Sequence, residues 1–288
     1  MFRLVERLSA EEIRNAVRLA LAEDLGAGDV TTLATVPETA LASAVMRARE
    51  RVVIAGTGLA VAAFRELSSE VQVETVARDG QIATAGESIL SLSGPARPIL
   101  SAERVALNFI QRLSGVATLT AQFVEAVRGT RAQILDTRKT TPGWRRLEKY
   151  AVTCGGGRNH RFGLYDMVLI KDNHLAALRS ASPNPIAAAL QRARAEYPNL
   201  KVEVETDTLE QVEQAVAAGA DLILLDNMEP AQLREAVRVC QGRAQTEASG
   251  GVNLETVRAI AEAGVDFISV GALTHSARAV DIGLDFET

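Results

Sequence analysis

Between Gln133 and Val270 the chain repeats one pattern: a short apolar run, a polar or glycine-rich turn, then an amphipathic stretch. The apolar runs are Gln133–Leu135, Met167–Ile170, Val202–Val204, Leu222–Leu225, Ala244–Thr246 and Asp266–Val270. Helical patterns fall between the later ones at Pro185–Glu196, Leu209–Ala218, Pro230–Cys240 and Leu254–Ala263. Strands that alternate with helices of this length make βαβ units, which lie parallel in one sheet with helices on its faces. Six such runs in about 140 residues suit an α/β barrel, complete or incomplete, better than a sandwich.

The amino-terminal part has a different grain. Ser9 and Glu12 form a capping box that opens a helix to Leu25, with Ile13, Val17, Ala20 and Leu21 on one face. Gly26 and Gly28 end it, and Asp29–Thr32 reads as a turn or loop. Short strand patterns follow at Ala44–Ile54, Val71–Val76 and Ser88–Leu92, with a turn at Asp79-Gly80 and a helical stretch at Ala60–Leu67. This region reads as a small α+β layer. Ala102–Arg128 is one long helical pattern with Gly115 as a candidate break.

Each strand run of the second part ends in polar or glycine residues: Asp136–Lys139, Lys171–His174, Glu205–Asp207, Asp226-Asn227, Glu247–Gly251 and Gly271. Barrel active sites are built on that face by the loops after the strands. Ser249–Gly251 and Gly271-Ala272 have the composition of loops that let backbone N–H groups approach a phosphate, though ordinary glycine turns look the same. Glu205 and Asp226 suit Mg²⁺, sugar hydroxyls or ion pairs with neighbouring cations. Glu203 lies two residues before Glu205, so both can face one side of the strand.

The stretch Asp136–His174 carries eight lysines and arginines against four acids, a local +4 in a chain of net charge −5. A focused positive cleft concentrates small anions whatever the total charge. The acidic pI near 5.4 argues against general nucleic-acid binding, which needs a basic face. Cys154 and Cys240 give neither a disulfide framework nor a metal spacing and fit a reducing cytosol. The charged amino terminus is no signal peptide, and no apolar run is long enough for a membrane span; a cytoplasmic location is expected.

Together these residues resemble the quinolinate phosphoribosyltransferase family. The resemblance runs through Ala22–Gly26 with Gly28–Thr32, Glu103-Arg104 with Ala106–Asn108, Asp136–Gly143, Glu148–Ala151 and Asn159–Arg161. It continues through Ile170–His174, Val202–Glu205, Leu225–Asn227, Glu247–Gly251 and Ser269–Gly271. It implies a type II phosphoribosyltransferase fold: an α+β open sandwich over residues 1–112, then an incomplete α/β barrel of about seven strands over 113–275, with 276–288 returning to the first domain. It implies that phosphoribosyl is transferred from phosphoribosyl pyrophosphate to quinolinate with decarboxylation, in de novo NAD biosynthesis. Mg²⁺ takes part and no organic cofactor does. By the same resemblance, Arg138, His160, Arg161 and Lys171 form the quinolinate pocket, Arg104 enters from a partner subunit, and Thr137 is substrate-binding. Lys139, Glu205, Asp226, Ser249, Gly250, Gly251, Val270, Gly271, Ala272 and His275 serve the phosphoribosyl substrate. Lys139, Lys171, Glu205 and Asp226 carry the chemistry, and Glu205 and Asp226 hold the metal. A homodimer or hexamer with composite sites is implied, with neither nucleic acid nor membrane as partner. Trp144 departs from the family pattern, where a smaller apolar residue is expected, and concerns packing.

Besides a non-catalytic phosphate sensor, which would need no converging carboxylate pocket, two other functions compete. One is the paralogue of the same fold that accompanies molybdenum transport, acting on a different base or acid; the set Arg104, Arg138, Arg161 and Lys171 favours a dianion instead. The other is a Schiff-base aldolase with Lys171 as nucleophile.

Overall fold

The computed structural model describes residues 4–287 and divides into two compact units. One comprises residues 4–121, 141–156 and 276–287; the other comprises 122–140 and 157–275. In chain order the elements are α1 (Ala10–Leu25), α2 (Val30–Thr35), β1 (Leu41–Ala48), β2 (Val52–Val53), α3 (Thr57–Leu67), β3 (Gln72–Thr75), β4 (Ile82–Ala83), β5 (Ser88–Pro95) and α4 (Ala96–Ala126). Then come β6 (Gln133–Leu135), α5 (Arg145–Cys154), β7 (Val168–Ile170), α6 (Asp172–Ala176), α7 (Pro185–Glu196), β8 (Val202–Thr206), α8 (Leu209–Ala217) and β9 (Leu222–Asp226). The chain closes with α9 (Pro230–Cys240), β10 (Gln245–Ser249), α10 (Val257–Glu262), β11 (Phe267–Ser269), α11 (Ala272–His275) and β12 (Ile282–Glu287).

In the first unit an antiparallel sheet runs β12-β1-β5-β3, so the carboxy-terminal strand pairs with the first strand in the chain, Val45 opposite Asp285. The Ser9–Glu12 capping box is present, and α1 buries Val17 and Leu21. Residues 29–32 are not a loop: Asp29 caps α2, its carboxylate accepting the Thr32 N–H at 3.0 Å. Gly115 does not break α4, which runs unbroken for 31 residues. The glycine is there for space, since a Cβ would collide with the Arg278 carbonyl. Compactness groups 113–121 and 141–156 with this unit, whereas the sequence reading put them with the barrel. Trp144 stacks on Phe109, ring centroids 5.2 Å apart, which is a packing role.

In the second unit six parallel strands run β6-β11-β10-β9-β8-β7. The strand nearest the start of the unit and the next in sequence occupy opposite edges, so the sheet is an unclosed barrel wall. Where about seven strands were expected there are six among the described residues. A single bridge, Leu135 to Arg158, stands on the free edge of β6 where a further strand would lie. Leu135, Leu222 and Phe267 pack together in the core. The rhythm read from the sequence holds, with ends shifted by a few residues. At α10 the start moves from Leu254 to Val257. Asn253 first forms a turn in which its Oδ1 accepts the Glu255 and Thr256 N–H groups at 2.9 and 3.0 Å.

Candidate active site

The carboxyl ends of the six strands bring the charged residues of the second unit together. After β6 the chain turns through Thr137, whose Oγ1 accepts the Lys139 N–H at 3.1 Å. The Thr274 hydroxyl donates to the Lys139 carbonyl at 2.7 Å, tying this loop to α11. Gly271 lies between them: a Cβ there would stand 3.1 Å from His275 Nε2 and 3.2 Å from Lys139 Cδ. Lys139, Gly271 and His275 are therefore neighbours. Val270 is buried behind them and Ala272 is half-buried.

After β10, Ser249 is followed by Gly250 at φ +94° and Gly251 at φ +60°, backbone that favours glycine. A Cβ at Gly250 would also run into the Asn227 side chain, and the Asn227 N–H donates to the Ser249 carbonyl at 2.9 Å. The β9 and β10 loops are thus locked to each other. The shifted start of α10 means that this glycine pair does not abut a helix directly.

Two half-buried guanidiniums face each other. Burial first, then the neighbouring Arg138, hold the Arg161 guanidinium below its usual range. Arg161 Nη1 donates to the Met167 carbonyl at 3.1 Å, which fixes its stem. Across the strand ends Lys171 Nζ donates to Glu205. Asp226 lies near both Lys171 and Lys139. Burial pushes its carboxyl up, and those two cations pull it back in part. Asn227 donates to it at 2.7 Å. Arg138 and Arg161 thus form one cationic pair, and Lys171 joins the acids Glu205 and Asp226 in a second charged group. His174 serves the local turn, where its Nδ1 accepts the Lys171 N–H at 2.9 Å.

Arg104 belongs to the other unit and is exposed on α4, beside the partly buried Glu103. Burial pushes the Cys154 thiol up to about 12, the opposite of what a nucleophile needs.

Beneath the cationic pair lie side chains that the sequence reading gave no role. Asp136 is fully buried; it accepts the Asn159 side-chain amide at 2.7 Å and the His160 N–H at 2.8 Å. Glu203 and Glu247, both fully buried, reach His160 Nε2 at 3.1 and 3.3 Å. Their signal in the sequence is an acid flanked on both sides by strand residues, Val202-Glu203-Val204 and Thr246-Glu247-Ala248. A buried acid inside a strand asks for a partner. His160 itself is 8% exposed and belongs to this layer more than to the open cleft.

Comparison with known proteins gives a consistent answer. The family model described as quinolinate phosphoribosyl transferase, N-terminal domain, matches residues 29–114, and the one described as its C-terminal domain matches 116–285. The chain is 47% identical over 278 residues to the nicotinate-nucleotide pyrophosphorylase (carboxylating) of Mycobacterium leprae, covering 94% of this chain and 96% of that protein. It is 44% identical over 264 residues to the probable nicotinate-nucleotide pyrophosphorylase (carboxylating) of Bacillus subtilis, covering 91% and 89%. Among solved structures, the nicotinate-nucleotide pyrophosphorylase from Francisella tularensis is similar over 100% of both chains, at 38% identity and a TM-score of 0.93.

Proposed function

The chain belongs to the quinolinate phosphoribosyltransferase family, and from that premise we propose that it makes nicotinate mononucleotide, CO₂ and pyrophosphate from quinolinate and phosphoribosyl pyrophosphate. The observation that carries this reading at the site is the pair Arg138 and Arg161, two half-buried guanidiniums crowding each other. Like charges held together out of water favour a multiply charged anion, and guanidinium forks suit carboxylates bidentately. Quinolinate, with carboxylates on adjacent ring carbons, supplies such an anion. Thr137 adds to that pocket, and His160 supports it from the buried layer.

The other substrate falls to the opposite side. Lys139, Gly271 and His275 form one phosphate subsite with Val270 and Ala272, and the Ser249–Gly251 loop offers backbone N–H groups to another. Glu205 and Asp226, hard oxygen donors at the ends of neighbouring strands, suit Mg²⁺, and the incompletely balanced burial of Asp226 favours a cation beside it. When bound, the metal neutralises pyrophosphate charge. The ring nitrogen then bonds to the anomeric carbon as the bond to pyrophosphate oxygen breaks. Glu205 and Asp226 stabilise positive charge developing on the sugar. The ring nitrogen is now cationic and accepts the electron pair released as the adjacent carboxylate leaves as CO₂. A proton replaces it on that carbon, and no organic cofactor is required.

Lys171 is a charged partner of Glu205, whereas an aldolase nucleophile must be a free amine; this favours transfer over Schiff-base chemistry. We also propose that Arg104, exposed on its own unit, enters a neighbouring subunit's site, and that the enzyme works in the cytoplasm as an oligomer with composite sites. Among the described residues no helix is long and apolar enough to cross a membrane. The test is incubation with quinolinate, phosphoribosyl pyrophosphate and Mg²⁺. Nicotinate mononucleotide should appear with equimolar CO₂ and pyrophosphate; its absence, with a lysine adduct trapped by borohydride instead, overturns the reading.

A further inference from the structure

Three buried acids grip one tripeptide. Asp136 at the end of β6 holds Asn159 and the backbone of His160. Glu203 on β8 and Glu247 on β10 meet the His160 ring at Nε2, 3.1 and 3.3 Å away. On the far side of the ring, Nδ1 accepts the Arg161 N–H at 2.7 Å. We propose that Glu203 and Glu247 are positioning residues for quinolinate binding: they fix the His160 ring, and through its Nδ1 the backbone from which Arg161 reaches the substrate. The proposal rests on the reading above for the identity of the substrate, and on the contacts alone for the geometry.

The hydrogen bond at Nδ1 also selects the form of the ring. An imidazole nitrogen that accepts an N–H carries no proton of its own, so the ring proton sits on Nε2, between the two acids. Burial opposes charge on His160, while Glu247 and Glu203 push it up to about 10. The Nδ1 contact decides for the neutral ring, because an imidazolium has no lone pair there. The same reasoning removes the other obvious use of the cluster. His160, Glu203 and Glu247 bring ligand atoms within 4.8 Å of one another, a spacing that a metal ion could use. A metal would need the Nε2 lone pair, and the Nδ1 contact places a proton at that position instead. His160 is then not a cation for the dianion. It is a wedge that transmits the position of two strands to the arginine beside it.

Replacing either glutamate by glutamine keeps an oxygen beside Nε2 to hold the ring; alanine does not. Glu247→Ala and Glu203→Ala should raise the KM for quinolinate about tenfold, with kcat and the KM for phosphoribosyl pyrophosphate within about threefold. Glu247→Gln and Glu203→Gln should restore a near-normal KM. A merely structural acid would not show this pattern. The chain has three histidines, so ring-nitrogen NMR with a His160→Asn variant assigns the His160 signals in the wild type. One amine-like and one imine-like nitrogen at neutral pH supports the proposal; two equivalent, imidazolium-like nitrogens overturn it. An unchanged KM for quinolinate in folded alanine variants overturns it as well. If the alanine variants do not fold, the wild-type spectrum and the glutamine kinetics still decide. If the wild-type protein makes no nicotinate mononucleotide, the functional reading fails and the proposal with it. Turnover combined with an imidazolium spectrum sinks only the proposal.

Discussion

In the first unit Glu148 is fully buried with both oxygens filled: Arg112 Nη2 donates at 2.8 Å, and Thr141 donates its hydroxyl at 2.9 Å and its N–H at 3.0 Å. In the parallel-sheet unit Glu203 and Glu247 are buried as deeply, yet both lean on the single Nε2 of His160. Burial first, and then repulsion from Glu247, push Glu203 above the usual carboxylate range. One acid is a joint of the fold, with a donor for each lone pair that points inward. The other two are costly where they stand and lie beneath the residues assigned to substrate. Buried charge that the fold does not compensate is commonly found where chemistry needs it.

Substitutions can sharpen or break this contrast. The largest effect on stability is expected at Glu148→Ala, which strands Arg112 and the Thr141 donors and should cost about 3–5 kcal/mol by denaturant unfolding. A loss below about 1 kcal/mol would put Glu148 in the same class as Glu203. Next come Glu205→Ala and Asp226→Ala, which should lower kcat about a hundredfold while quinolinate affinity and the unfolding midpoint change little. A weaker quinolinate affinity with unchanged kcat would move these acids to the other substrate's side. The smallest effect, and of opposite sign, belongs to Glu203→Gln. Removing one of two facing buried carboxylates should leave stability unchanged or raise it by about 1 kcal/mol. Destabilisation as large as that of Glu148→Ala would erase the distinction.

Much of this was legible in the sequence, because one-dimensional signals carried it. The βαβ rhythm gave the parallel sheet, and the Ser9–Glu12 capping box gave α1 to the residue. The polar strand ends gave Lys171, Glu205 and Asp226 as neighbours, since parallel strands put all their carboxyl ends on one edge. What escaped depends on packing. Gly115 looks like a helix breaker until the Arg278 carbonyl is placed against it. Asp29–Thr32 looks like a loop because a six-residue helix has too few apolar positions to show a period. The pairing of Glu203 with Glu247 spans two strands that are not neighbours in the sheet, and no local pattern encodes it. The burial of His160 has no local signal, because its glycine-rich sequence hides how deeply Asp136 draws the loop in.

The central claim is that Arg138 and Arg161 together hold a dianion at the strand ends. Calorimetric titration with quinolinate of the wild type, Arg138→Ala and Arg161→Ala tests it without any turnover. Each substitution should weaken binding by at least about a hundredfold, with the fold intact by circular dichroism. Either variant binding quinolinate as the wild type does would contradict it.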